Sequence, residues 1–133
     1  MKQIKYLAIM LLGLLVLVGC QKVSETRTEF CSSLREVGTL AVEFKEVKVE
    51  QPVDDVRTKV ESLQQKKKNL ERLAKITPIE GLDKLVNAID AVAQAVAEVS
   101  GNTLGPAAEK INAAGVALEN SYNELNSAVC EAK

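Results

Sequence analysis

Apolar residues recur along the chain from residue 26 onward at intervals that alternate between four and three positions. In the first segment, over 26–47, these positions form a heptad seam: Phe30, Leu34, Val37, Ala41 and Phe44. Such spacing predicts an amphipathic helix that packs in the manner of a coiled coil. Pro52 ends this segment, because proline cannot continue the helical hydrogen-bond ladder but is accepted in the first turn of the next helix.

Three further segments show the same periodicity, and each begins with a start signal. The second follows Pro52 and runs to about residue 76, and its only polar seam position is Lys67. The third is predicted to start at Thr77-Pro78-Ile79-Glu80, which has the pattern of a capping box, and to end at Ser100-Gly101-Asn102 with a left-handed residue. The fourth starts between residues 103 and 106. Its seam is Ala108, Ile111, Gly115, Leu118, Tyr122, Leu125 and Val129.

Four helices of about 22 to 29 residues, joined by short turns, predict an all-α fold. Short connections force neighbouring helices to run in opposite directions, so we expect an antiparallel up-down-up-down four-helix bundle over 26–133 with coiled-coil-like packing. The rival arrangement is a long helical hairpin that completes its core by dimerising. The sequence leaves the oligomeric state open.

The composition removes several classes of function. Only 3% of the residues are aromatic, and the chain has neither His nor Trp, so the commonest general base and the commonest transition-metal ligand are missing. The formal net charge is −1, which does not suggest a nucleic-acid partner. We therefore expect no catalytic residues, no metal site and no cofactor.

The charged side chains suggest solvated helix faces rather than chemistry. The acidic residues of the predicted helices that lie off the apolar seams include these eight: Glu36, Glu43, Glu61, Glu71, Asp90, Glu98, Glu109 and Glu119. The run Lys66-Lys67-Lys68 is the densest basic cluster, and it could contact anionic lipid. Consecutive residues on a helix point about 100° apart, so a solvated face with one lysine lying along the core is the preferred interpretation.

The first twenty residues have the layout of an export signal. Lys2 and Lys5 precede an uncharged run over 6–18, which has the length of a signal-peptide core and is short for a membrane span. The run ends in Leu17-Val18-Gly19-Cys20, which resembles the lipobox of bacterial lipoprotein signal peptides at all four positions.

This resemblance implies that residues 1–19 are a signal peptide and that signal peptidase II cuts before Cys20. Diacylglycerol would be attached to the Cys20 thiol, and a further acyl chain such as palmitate to the new amino group; two or three chains make anchoring permanent. Residues 20–25 would form a lipidated tether to the membrane. Gln21 is not the Asp that retains lipoproteins at an inner membrane. The expected location is therefore the outer membrane in a cell with two membranes, and the outer face of the cell membrane in a cell with one. An ordinary secretory signal and an uncleaved anchor are the alternatives.

Lipidation of Cys20 would leave Cys31 and Cys130 in a compartment outside the cytoplasm, where disulfides persist. Cys31 lies near the start of the first predicted helix and Cys130 near the end of the fourth, so both fall at one pole of the bundle. Counting residues leaves them about 15 Å apart if every turn is tight. We expect residues 45–51 and 101–105 to form looser connections that shift the helices along their axes and bring the two cysteines within reach of a disulfide. Two buried, reduced cysteines are the alternative.

The sequence also resembles small helical exported lipoproteins that carry a cysteine near each end of the helical body, a type with no known activity. The predicted function is a non-enzymatic interaction or structural module of the cell envelope. Its partners would be the membrane, through lipid on Cys20, and an envelope protein or glycan. The alternative is a carrier that holds a small ligand in the bundle core, which would require an internal apolar cavity.

Overall fold

The computed structural model describes the backbone of residues 2–131 and the side chains of residues 24–131. It contains four helices, α1 (Lys2–Lys45), α2 (Val53–Ile76), α3 (Leu82–Ala97) and α4 (Ala107–Val129). Over this part of the chain there is no β-sheet, and the only β-type pairing is an isolated bridge between Pro52 and Thr103. The prediction of an all-α fold is confirmed.

Ion pairs between neighbouring helices show how the helices run. Between α1 and α2, Glu29 pairs with Arg72 and Glu43 pairs with Lys59, so the residue numbers rise along one helix as they fall along the other. The same inverse order relates α2 to α3, where Lys67 pairs with Asp90 and Arg57 donates to the Val99 carbonyl just beyond the end of α3. It also relates α3 to α4, through the pairs Lys84–Glu124 and Glu98–Lys110. Helix α4 packs back against α1 and closes the ring. The four helices therefore form an antiparallel bundle within one chain.

The core consists of the predicted seams. Every apolar seam residue of the first helix segment is almost fully buried, as are most seam residues of the other three. Leu73 is also buried, although it lies one position before the predicted seam residue Ala74. The largest fully buried side chains come from all four helices and include Phe30, Phe44, Leu34, Leu63, Leu70, Leu85, Ile89, Ile111 and Leu118.

The two longer connections, over 46–52 and 98–106, meet at one end of the bundle, which we call the distal pole. Val53 N–H donates to Asn102 O, and Gly105 N–H donates to the carbonyl of Val49, each at 3.0 Å. Val47 and Leu104 are buried between these connections and cover the end of the core. Because both connections extend beyond the ends of their helices, they provide the slack that the cysteine spacing requires.

The predicted capping box at Thr77 is wrong. Thr77 is instead the C-cap of α2, where its backbone N–H donates to Leu73 O. Helix α3 begins at Leu82, after Gly81, whose φ of 89° lies in the left-handed region that glycine tolerates. A helix starting at Pro78 would leave no residues to reverse the chain after α2. The residues of the predicted capping box therefore form the turn between α2 and α3.

The end of α3 also differs from the prediction. Helix α3 stops at Ala97 and has only 16 residues, fewer than the expected minimum of about 22. The left-handed residue in the connection that follows is Gly105, with a φ of 52°, and not Gly101. Gly105 is the last residue before Pro106, the N-cap of α4, so the tight reversal occurs where the next helix begins.

The start of the first helix also lies earlier than predicted. Helix α1 includes Ser24 and Glu25, which the sequence analysis placed in the tether; the Thr28 hydroxyl donates to Ser24 O at 2.9 Å. The predicted signal peptide and the Cys20 side chain lie outside the part of the chain whose side chains are described.

Lys67, the polar seam position, lies between α2 and α3. Its ammonium nitrogen is 2.8 Å from an Asp90 carboxylate oxygen, and its side chain is 18% exposed. Gly115, the glycine of the fourth seam, does not lie beside Lys67. It packs against the backbone of Phe44 and Lys45 on α1.

The first and last helices are joined by a disulfide between Cys31 and Cys130. Their Cα atoms are 5.8 Å apart, within the range that the bond tolerates, and the bond closes a loop with a sequence separation of 99 residues. The structure therefore contains the disulfide that the sequence analysis expected. We call the end of the bundle that holds it, together with the connection over 77–81, the disulfide pole.

We predict that Gly115→Ala destabilises the protein by about 2 kcal/mol, because an added methyl group overpacks the α1–α4 contact. A Cβ at this position would lie 2.6 Å from Lys45 N and 2.8 Å from Phe44 C, and backbone atoms cannot move aside cheaply. The control is Gly101→Ala, whose Cβ would meet nothing closer than 3.5 Å. Denaturant unfolding measures both variants. Equal stabilities would show that α1 and α4 are not in close contact at Gly115.

We also predict that replacing both Cys31 and Cys130 with Ser lowers the free energy of unfolding. Opening a loop of this length costs roughly 4 to 5 kcal/mol in the chain-entropy model. Thermal unfolding of the wild type with and without reductant should show a loss of the same size, whereas reductant should leave the double variant unchanged. The pairing would be contradicted if both Cys31 and Cys130 reacted with a thiol reagent in protein that was isolated without reductant.

Candidate interaction surface at the disulfide pole

Arg27 caps the end of α4 beside the disulfide. Its Nε and Nη2 atoms donate to the carbonyl oxygen of Val129, at 3.0 and 2.6 Å. Val129 is the last residue of α4, and its carbonyl has no partner within the helix. The arginine satisfies this carbonyl and places a positive charge at the negative end of the helix dipole. It thereby fixes α4 to α1 a second time, one turn from the disulfide.

A cleft with a volume of about 440 Å³ lies around the disulfide, and we call it the disulfide cleft. Both cysteines line it, and both are half-buried rather than enclosed. The remaining lining comes from one face of α1 and consists of two arginines and three hydroxyl side chains: Arg27, Arg35, Ser24, Thr28 and Ser32. This lining is rich in hydrogen-bond donors and holds no carboxylate.

Two further clefts lie at the same pole. One, of about 310 Å³, is lined by Arg27, Val129 and the connection over 77–80. The other, of about 270 Å³, lies between Lys84 and Glu124, whose side chains form an ion pair at 3.2 Å. All three clefts are open to solvent, and all three lie at the disulfide pole.

A polar network lies between α1 and α2 near this pole. The Asn69 amide donates to the hydroxyl of Ser33 at 2.6 Å, and Arg72 donates to both Asn69 and Glu29. Ser33 is buried, so this network satisfies a hydroxyl that would otherwise be desolvated without a partner. The network fixes the orientation of the acidic side of α1.

The distal half of the bundle has a different character. Three of the exposed large apolar side chains lie there, namely Val42, Val49 and Val116, and Val49 is 57% exposed. In the same half, the Glu119 carboxylate forms an ion pair with the Lys45 ammonium group at 2.7 Å, and this contact raises the pKa of Lys45 above its ordinary value.

The predicted site residues divide into three groups. Cys31 and Cys130 are brought together, whereas the Cys20 side chain lies outside the described residues. The lysine run does not form a patch, because Lys66 pairs with Glu36 and Lys67 pairs with Asp90. Of the eight off-seam acidic residues named from the sequence, five form ion pairs between helices or their ends: Glu36, Glu43, Asp90, Glu98 and Glu119.

Sequence reasoning missed Arg27 and Arg35. Their spacing of eight residues places them on one helix face together with Ser24, Thr28 and Ser32, and this was the available signal. The sequence pattern does not show that the end of α4 lies beside this face and completes the cleft. Predicting that contact requires the axial offset between two helices that are about a hundred residues apart in the chain.

Within residues 24–131, no group of three or more His, Cys, Asp or Glu side chains is arranged to hold a metal ion. The helices of this described part also include none with the length and hydropathy to cross a membrane. Comparisons of the chain with protein-family models, with curated proteins and with solved structures found no match.

Proposed function

We propose that the chain is a lipid-anchored lipoprotein that presents a rigid helical bundle as an interaction module of the cell envelope. The observation that carries this proposal is the complete Leu17-Val18-Gly19-Cys20 motif at the end of an uncharged segment. The membrane would be contacted through lipid on Cys20. A protein or glycan of the envelope would be the second partner.

The disulfide supports a location outside the cytoplasm, because disulfides persist in oxidising compartments and are rare in reducing ones. It joins residues at the disulfide pole, where the chain that carries Cys20 enters the bundle. A covalent link at this end holds α1 and α4 together where a membrane anchor would apply force.

The ion pairs support a structural use of the acidic side chains rather than a catalytic one. Glu36, Glu43 and Asp90 each contact a lysine of a neighbouring helix, at 2.5 to 3.2 Å. In these positions the carboxylates fix the register between helices, in the way that charges flanking a coiled-coil seam do.

The described structure favours binding of a partner at the surface over the alternative of a carrier that holds a ligand inside the core. The seam side chains fill the interior, and the clefts at the disulfide pole are open to solvent rather than enclosed. By contrast, Val42, Val49 and Val116 are exposed in the half of the bundle that faces away from the proposed anchor. Exposed apolar side chains that point into the compartment are available to a partner on another envelope component.

Replacing Cys20 with Ser tests the anchor, because thioether formation requires the thiol itself. We predict that this variant accumulates as an uncut precursor and incorporates no labelled fatty acid in cells. The matched control is the double variant Cys31→Ser and Cys130→Ser, which should be cut and labelled like the wild type. Labelling of the Cys20→Ser variant, or loss of labelling in the control, would contradict the proposed anchor.

Photo-crosslinking in cells tests the distal pole as the partner-binding end. Val49 is replaced with p-benzoylphenylalanine, and the control carries the same residue at Ile76, which is 51% exposed at the disulfide pole. We predict that the residue at position 49 gives a discrete adduct with an envelope component and that the residue at position 76 does not give this adduct. The same adduct from position 76 alone would place the partner at the wrong end and refute this part of the proposal.

A further inference from the structure

The charged residues of α1 are divided between two sides of the helix. Glu29, Glu36 and Glu43 lie on the side that faces α2, where each forms an ion pair with a basic residue. Arg27 and Arg35 lie on the opposite side, in the disulfide cleft. The cleft therefore has a net positive charge that its own lining does not neutralise.

The arrangement of donors in this cleft suits a phosphate group. Arg27 is held in place by its two hydrogen bonds to Val129 O, and its Nη1 atom donates in neither of them. Arg35 forms no ion pair with any residue of the described chain. Guanidinium groups bind phosphate oxygens through paired donors, and the hydroxyl of Ser32 adds another donor between the two arginines.

The position of the cleft in the chain indicates the source of the phosphate. Ser24, which lines the cleft, is four residues from Cys20, a distance of at most about 14 Å even for an extended chain. If Cys20 carries lipid, the cleft lies next to the headgroup layer of the membrane. Arginines in this position are attracted by anionic headgroups.

We infer that the disulfide cleft binds the phosphate of anionic membrane lipids through Arg27 and Arg35. This inference rests on the proposed lipid anchor, which would bring the cleft to the bilayer. The contact sets the orientation of the bundle: the disulfide pole lies on the headgroups, and the distal pole points away from the membrane. The lipid on Cys20 then holds the protein at the surface, and the cleft determines how it is turned.

The test uses the full chain in neutral detergent micelles, titrated with dihexanoyl phosphatidylglycerol and followed by NMR shifts of residues 24–35. We expect the double variant Arg27→Gln and Arg35→Gln to bind this lipid about 25-fold more weakly, at about fivefold for each arginine. The matched control is Lys68→Gln with Lys75→Gln, which removes the same charge from exposed positions of α2 and should bind like the wild type. The single variant Arg35→Gln should lose about fivefold, and it leaves the Arg27 cap on α4 intact.

Two further titrations identify the ligand. Uncharged dihexanoylglycerol should give no shifts at residues 24–35, and inorganic phosphate should bind more weakly than the lipid. Equal binding by the arginine and lysine double variants would overturn the inference, as would inorganic phosphate that binds as tightly as the lipid. The titration does not require lipid on Cys20, so its outcome is independent of the fatty-acid labelling that tests the anchor.

Discussion

The contact between α1 and α4 is the constraint on which the rest of the bundle depends. These helices are the first and last of the chain, so no short connection holds them together, and their packing must be maintained by direct interactions. Gly115 lets the two backbones approach near the distal end, the Tyr122 ring covers Gly38 at mid-length, and the Cys31–Cys130 bond joins the helices at the other end. Once this contact is formed, α2 and α3 complete a closed ring.

The two ends of the bundle are closed by different means. At the distal pole, the connections over 46–52 and 98–106 hydrogen-bond to each other and bury apolar residues over the core. At the disulfide pole, closure depends on a covalent bond and on the Arg27 cap of α4. Because that cap occupies the helix end, and the disulfide is half-buried beside it, this pole presents a polar cleft rather than an apolar cover.

The distribution of charge links stability to the proposed orientation on a membrane. The carboxylates on the acidic side of α1 form ion pairs within the bundle, with Lys59, Lys66 and Arg72 of α2. Each such surface pair contributes little on its own, at most about 1 kcal/mol, but together they favour one register of the helices. The same division leaves the arginines of α1 on the α4 side, where they face solvent beside the proposed anchor.

The sequence by itself determined the number of helices and most of their seam residues, and it predicted the pairing of Cys31 with Cys130 without deciding it. Helical periodicity is a local property, and the apolar positions must face the core whatever the partner helix is. The start of α3 was not determined in this way, because Thr77 satisfies a capping pattern but is used by the turn that reverses the chain.

Tertiary structure alone decided which side chains meet across helices. The neighbour of Gly115, the ion pair of Lys67 with Asp90 and the cleft of Arg27 and Arg35 all depend on the axial offset between helices. That offset is set by how far each connection extends beyond its helix before the chain turns. Connections are not periodic, and their hydrogen bonds to one another form only in the assembled bundle.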